Sequence, residues 1–227
     1  MLLDLIRSGF NRDIVIQLLL SVPIILFSLT LHEFSHGFVA YKMGDPTARN
    51  FGRLTLNPIK HIDPVGAGLM LVFGFGWAKP VPINSRYFKN PKWGMAISAA
   101  AGPLSNLLLS FVSYNISYLL ATKIDPFRLS YTAYNVVYIV ILFFYLAAFM
   151  NATLAVFNLI PIPPLDGSRL LFTFLPQRLY FAFMRYEQII MTILMVGVFF
   201  GAFSNVISNV TGFILTGFDK FAQLVFG

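Results

Sequence analysis

"IVIQLLLSVPIILFSLTLHEFSHGFVAY", residues 14–41, joins an apolar run long enough to cross a bilayer to two histidines and a glutamate at its end. Only Gln17 and the stretch from His32 to His36 interrupt the run with strongly polar side chains. Arg7 and Arg12 precede it as basic residues precede a signal peptide, but no small-residue cleavage site follows and the apolar run continues into the histidines. The expectation is an uncleaved spanning helix from Ile14 to about Tyr41.

The rest of the chain agrees with that reading. Of 227 residues, 57% are hydrophobic and 11% charged, and 25 are phenylalanine, which places the chain among membrane proteins. Further spans are expected at about Trp93 to Ala121, Tyr134 to Asn158 and Tyr186 to Phe203. Asp219 and Lys220 interrupt the tail from Asn205 to Phe226, which reads either as a fifth span or as a helix lying at the interface. The expected fold is therefore an all-α integral membrane protein, a bundle of four or more transmembrane helices forming one membrane-embedded domain over 1–227, with no separate soluble domain. There is no cysteine, so disulfides and thiolate ligands are excluded and any metal must be held by nitrogen and oxygen.

The net charge of +7 does not indicate nucleic acid, because the basic residues are not clustered on a soluble module. They set orientation instead. Lys42, Arg49, Arg53, Lys60, Lys79, Arg86, Lys89 and Lys92 lie between the first two spans, against only Lys123 and Arg128 between the second and third. The first loop is accordingly expected in the cytoplasm. Arg169, Arg178 and Arg185 fall on the same side; Arg7 and Arg12 oppose the assignment and are outnumbered.

His32 and His36 are four residues apart, which puts them about 40° apart on one helical face, close enough to bind one ion. Glu33 projects beside them, placed to take a proton from the attacking water of a zinc hydrolase rather than to ligate. A pair of buried, hydrogen-bonded histidines is the plainer explanation of such a pattern. Against it, two of three histidines and one of two glutamates fall within five residues of each other, beside a segment where an uncompensated charge costs about 3 kcal/mol or more.

A catalytic zinc site needs a third protein ligand and an open position. His61, in "NPIKHIDPVG", reads more readily as a solvated or turn-stabilising histidine. Asp166, in "NLIPIPPLDGSRLL", would ordinarily be the N-cap of a short helix from Gly167 to Leu175. It is, however, the acidic residue at the membrane end of the third span, and is the expected ligand. Pro161, Pro163 and Pro164 must stop or unwind the helix before it, and backbone freed at membrane depth persists only where protein or a water-filled cavity satisfies it.

With "HEFSH" on an early helix, "AGPLSN" at 101–106, "GWAKPVPIN" at 76–84 and "NLIPIPPLDG" after a later helix, the chain resembles the site-2 protease family of intramembrane zinc metalloproteases over nearly its whole length. The resemblance implies one zinc on His32, His36 and Asp166, Glu33 as catalytic acid and base, and Asn106 and Asn158 lining the active site as substrate or oxyanion contacts. The loop "GWAKPVPIN" is similar to that of the family's small, short-chain members, and the sequence departs from larger ones in that no PDZ-like insertion or C-terminal nucleotide-sensing domain is recognisable in it. Read from the residues alone, Ser98, Ala99, Gly102 and Ser105 make a small-residue face for close helix packing, and Asn106 needs partners in the bilayer.

Pro64 to Trp77 is apolar but too short to span, and is expected either to dip into the membrane as a re-entrant β-hairpin whose edge pairs with an extended substrate, or to pack over the bundle as a loop. The function expected is a zinc endopeptidase acting on transmembrane protein substrates in the bilayer, in a prokaryotic cell membrane with its active site near the cytoplasmic face; a homo-oligomer is compatible with the sequence and not inferable from it. The alternative is a membrane metal-binding or ion-transport protein without peptidase activity, in which the same residues line an ion path.

Overall fold

The computed structural model describes residues 11–66, 78–176 and 185–227. Three of its helices are long and apolar enough to cross a membrane: α1 (Arg12–Lys42), α2 (Pro91–Lys123) and α3 (Tyr131–Asn158). Each exceeds the expected span by a few residues at one or both ends. Side-chain caps fix the starts: Asn11 accepts from Asp13 N, Asn90 accepts from Trp93 N ahead of Pro91, and Ser130 accepts from Ala133 N.

The spans pack through small residues rather than large ones. Ala147, Ala148, Ala152 and Ala155 of α3 are buried, as are Ser98, Ala99, Gly102 and Ser110 of α2. Ser110 Oγ donates to Ala148 O at 2.6 Å, tying the two backbones together. Outward-facing Leu19, Phe27, Leu104, Leu108, Val136 and Phe149 remain exposed, as a lipid-facing surface requires. Hydroxyls within α1 are satisfied by their own helix, Ser28 Oγ donating to Ile24 O and Thr30 Oγ1 to Leu26 O.

After α3 the chain turns through the proline-rich stretch into the short helix α4 (Asp166–Phe172), which packs on α2. The fourth expected span is shorter than the sequence suggests. Helix α5 (Glu187–Phe199) has 13 residues, about 20 Å against the roughly 30 Å of a bilayer core. It stops because Gly201 turns the chain at φ 76°, so Phe200 to Phe203 leave the helix. The tail forms one helix, α6 (Ser204–Phe226), whose buried Thr211 and Ala222 lie on the side turned to α2 and α3. Phe218 meets Phe111 edge-on and Phe221 meets it at a tilt, and Tyr114 Oη donates to Asp219 Oδ1 at 3.0 Å. The aspartate that interrupts the tail thus has a partner on α2.

Among the described residues there is no strand; the one β contact is an isolated antiparallel bridge between Ile62 and Ala78. The expected re-entrant hairpin falls largely on 67–77, outside the described residues, while Pro64 to Gly66 are helical.

Candidate metal centre

Helix α1 presents His32 and His36 on the face it turns to α2, and both are buried. Asp166 stands at the first residue of α4, with Leu165 before it as the N-cap and no side-chain capping bond. The capping role that an aspartate in this position ordinarily takes is therefore not the one it has. Its carboxylate turns to the histidines instead.

Three ligand atoms converge. His32 Nε2 and His36 Nε2 are 3.0 Å apart, and Asp166 Oδ2 lies 3.1 Å from the first and 3.2 Å from the second. Tetrahedral ligands at zinc distances of about 2.0–2.1 Å stand about 3.3 Å from one another, so the triangle has nearly the right size. Two imidazoles and one carboxylate are also a donor set that zinc accepts, leaving a fourth position open.

The orientation of both rings can be deduced from a fixed end. Ala147 O can only accept, so Asn151 Nδ2 donates to it at 2.8 Å and Asn151 Oδ1 is left as acceptor. Asn106 Nδ2 donates to that oxygen at 2.8 Å, which turns Asn106 Oδ1 toward His32 Nδ1, 2.7 Å away. His32 must therefore carry its proton on Nδ1. His36 Nδ1–H likewise donates to Ser98 O at 2.7 Å. Both Nε2 lone pairs are thereby directed at the centre, by partners of the kind that orient metal-ligating histidines. Asn106 and Asn151 are both fully buried.

Gly102 belongs to the same construction. A Cβ there would collide with His36 Nε2 and would lie 2.7 Å from His32 Cε1. The small-residue face of α2 thus serves the rings as well as helix packing.

Glu33 is half-buried, and its Oε2 accepts a 2.8 Å hydrogen bond from Val81 N. Asn158 ends α3 and donates its Nδ2 back to Leu154 O at 2.9 Å. His61 does not join the cluster. It is buried rather than solvated, with Nε2 donating to Thr55 O at 2.8 Å. Asn151 was not singled out by the sequence reading, although an amide in the middle of so apolar a helix is itself a signal of a functional partner.

Comparison with known proteins follows the same lines. The profile of peptidase family M50 matches residues 21–201. YwhC of Bacillus subtilis, a protein named as a zinc metalloprotease, is 44% identical over 153 residues, 67% of each chain. Rip2 of Mycolicibacterium smegmatis, named likewise, is 33% identical over 149 residues, 63% of this chain and 52% of its own. Rip2 of Mycobacterium tuberculosis is 32% identical over 147 residues, with the same coverage. The chain thus spans about half the length of these mycobacterial relatives. No solved structure matches it.

Proposed function

The chain belongs to peptidase family M50, the site-2 protease family, and from that premise we propose that it is an intramembrane zinc endopeptidase, cutting peptide bonds in or near the transmembrane segments of other membrane proteins. The observation that carries the reading is the convergence of His32 Nε2, His36 Nε2 and Asp166 Oδ2 at 3.0–3.2 Å, one residue from the carboxylate of Glu33.

His32, His36 and Asp166 would hold one zinc per chain. When bound, the zinc supplies Lewis-acid polarisation of the scissile carbonyl and makes water a nucleophile near neutral pH. Glu33 takes the proton of the attacking water and delivers it to the leaving amine. Asn106 and Ser98 O keep the imidazoles turned inward. Asn106 is engaged at both ends, its oxygen by His32 and its Nδ2 by Asn151, so of the two asparagines Asn158, whose oxygen and second N–H are not taken by its bond to Leu154 O, is the freer to meet a substrate strand or a developing oxyanion.

The basic loop after α1 supports a cytoplasmic location for the site in a cell membrane, since His36 lies just before Lys42 at that end of the helix. The test is purified protein with a single-span substrate in detergent or liposomes. Wild type should cleave, and Glu33→Gln should keep its zinc and cleave nothing. Zinc retained by both forms with cleavage by neither would favour the metal-binding or transport reading instead.

A further inference from the structure

Residues 78–84, "AKPVPIN", lie along the Glu33 side of α1 and are tied down at both ends. Lys79 N donates to His61 O at 2.8 Å, and Asn84 N donates to Asp45 Oδ2 at 2.7 Å. Between these anchors Val81 N reaches Glu33 Oε2. Pro80 and Pro82 have no N–H, so Val81 carries the one amide of its triplet that can meet the carboxylate. Its side chain is buried against Gly37, where an added Cβ would come 3.0 Å from Val81 Cγ1 and 3.1 Å from Ala48 Cβ.

Arg53 is the unexplained member of this region. It is buried, and among the described residues no carboxylate pairs with it. Its Nη2 donates to Lys79 O at 2.5 Å and, at 3.4 Å, to Pro80 O, while its Nε has no partner. Keeping a guanidinium out of water without a counter-ion is costly, so its return must come from what it holds. What it holds are the two carbonyls immediately before the Val81 amide.

We propose that Arg53 is a positioning residue for Glu33: by gripping Lys79 O and Pro80 O it fixes the register of the strap, and the Val81 amide then holds Glu33 Oε2 in place, leaving Oε1 to serve the water and the leaving group. This rests on the reading of Glu33 as the acid and base of a peptidase. A loose glutamate on a helix samples several rotamers, and only some of them face the reacting atoms. Both contacts come from one nitrogen, Nη2, whose two N–H bonds the planar guanidinium holds in fixed directions, whereas a lysine offers a freely rotating point charge.

The test uses full-length protein in detergent with zinc and a single-span substrate. Arg53→Gln should lower kcat at least tenfold, with KM and zinc per chain within twofold of wild type, and Arg53→Lys should recover part of the loss. Hydrogen–deuterium exchange of peptides covering 78–84 should accelerate in Arg53→Gln and in Glu33→Ala, with α1, α2 and α3 unchanged. Gly37→Ala displaces the strap from its other side with Arg53 intact, and should reproduce both effects even if Arg53→Gln fails to fold. Unaltered kcat, or a loss confined to zinc content or KM, would overturn the proposal. If wild type cleaves nothing the peptidase reading falls, and exchange still decides the contact: unchanged protection at 78–84 in Arg53→Gln and Gly37→Ala would sink it separately.

Discussion

Gly102 lies so close to His36 that a Cβ built on it would stand 2.5 Å from His36 Cε1. The alanine Cβ is fixed by its backbone, so relief must come from the histidine rings or from the helix. Gly102→Ala should therefore push the ring or the helix aside and lower zinc per chain at least about tenfold at matched free zinc. Elemental analysis of the purified variant measures this, and full occupancy would show that α2 can retreat at no cost.

Asn151 touches no ligand atom, yet it fixes the amide that fixes His32. Asn151→Ala should weaken zinc binding by about 10–100-fold, as loss of an orienting partner does. The measurement is competition with a chelator. Because Asn151 acts through Asn106, the double variant should lose less than the sum of the single losses. Full additivity would mean the two asparagines act independently.

His61 separates a structural histidine from a ligand. His61→Ala removes the bond to Thr55 O from a buried site and should cost about 1–3 kcal/mol of stability. Zinc per folded chain should stay as in wild type, whereas His32→Ala and Asp166→Ala should lose it. Equal zinc loss in all three would mean that the third ligand has been wrongly assigned.

Orientation can be read with cysteines, of which the chain has none of its own. Lys89 and Lys123, both exposed, stand near opposite ends of α2. Cysteines placed there should react with an impermeant reagent from opposite sides, Lys89→Cys from the cytoplasmic one. Reaction of both from one side would remove the charge argument.

A substrate helix must open before its carbonyls can be attacked, and each backbone group exposed in a dry site costs several kcal/mol unless something replaces its bond. Substrates with glycine or proline near the cytoplasmic end should be preferred. Replacing those residues by leucine should slow cleavage, followed by mass spectrometry. An all-leucine span cut at the original rate would exclude this requirement.

Much of this architecture was legible in the sequence because it rests on features with a strong local signature. The three long spans are read from apolar length, and His32, Glu33 and His36 from helical spacing. Asp166 could be favoured only because chemistry demanded a third ligand, since its local context suits an N-cap equally well. The contacts that complete the site were not legible for a different reason. Val81 and Ser98 act through backbone groups, which every residue possesses, so no residue type marks them. Arg53 was counted as one of eight basic loop residues, and nothing in "FGRLTL" distinguishes a buried guanidinium from a solvated one. The end of α5 depended on Gly201 adopting a left-handed turn, in a stretch whose apolar composition suits continued helix.

Zinc on the three candidate ligands would also have a mechanical consequence. His36 and Asp166 are more than a hundred residues apart in the chain, on α1 and at the start of α4, with α2 and α3 between them. A metal held by both closes that loop as a covalent bridge would, in a polypeptide that has no thiols with which to make one. For a chain free in solution, closing a loop of that size is worth about 4–5 kcal/mol, and less for one already threaded through a bilayer. Metal supply would then govern how long the bundle survives as well as whether it reacts. A cell short of zinc would carry loosened copies, open to clearance by its membrane quality-control machinery.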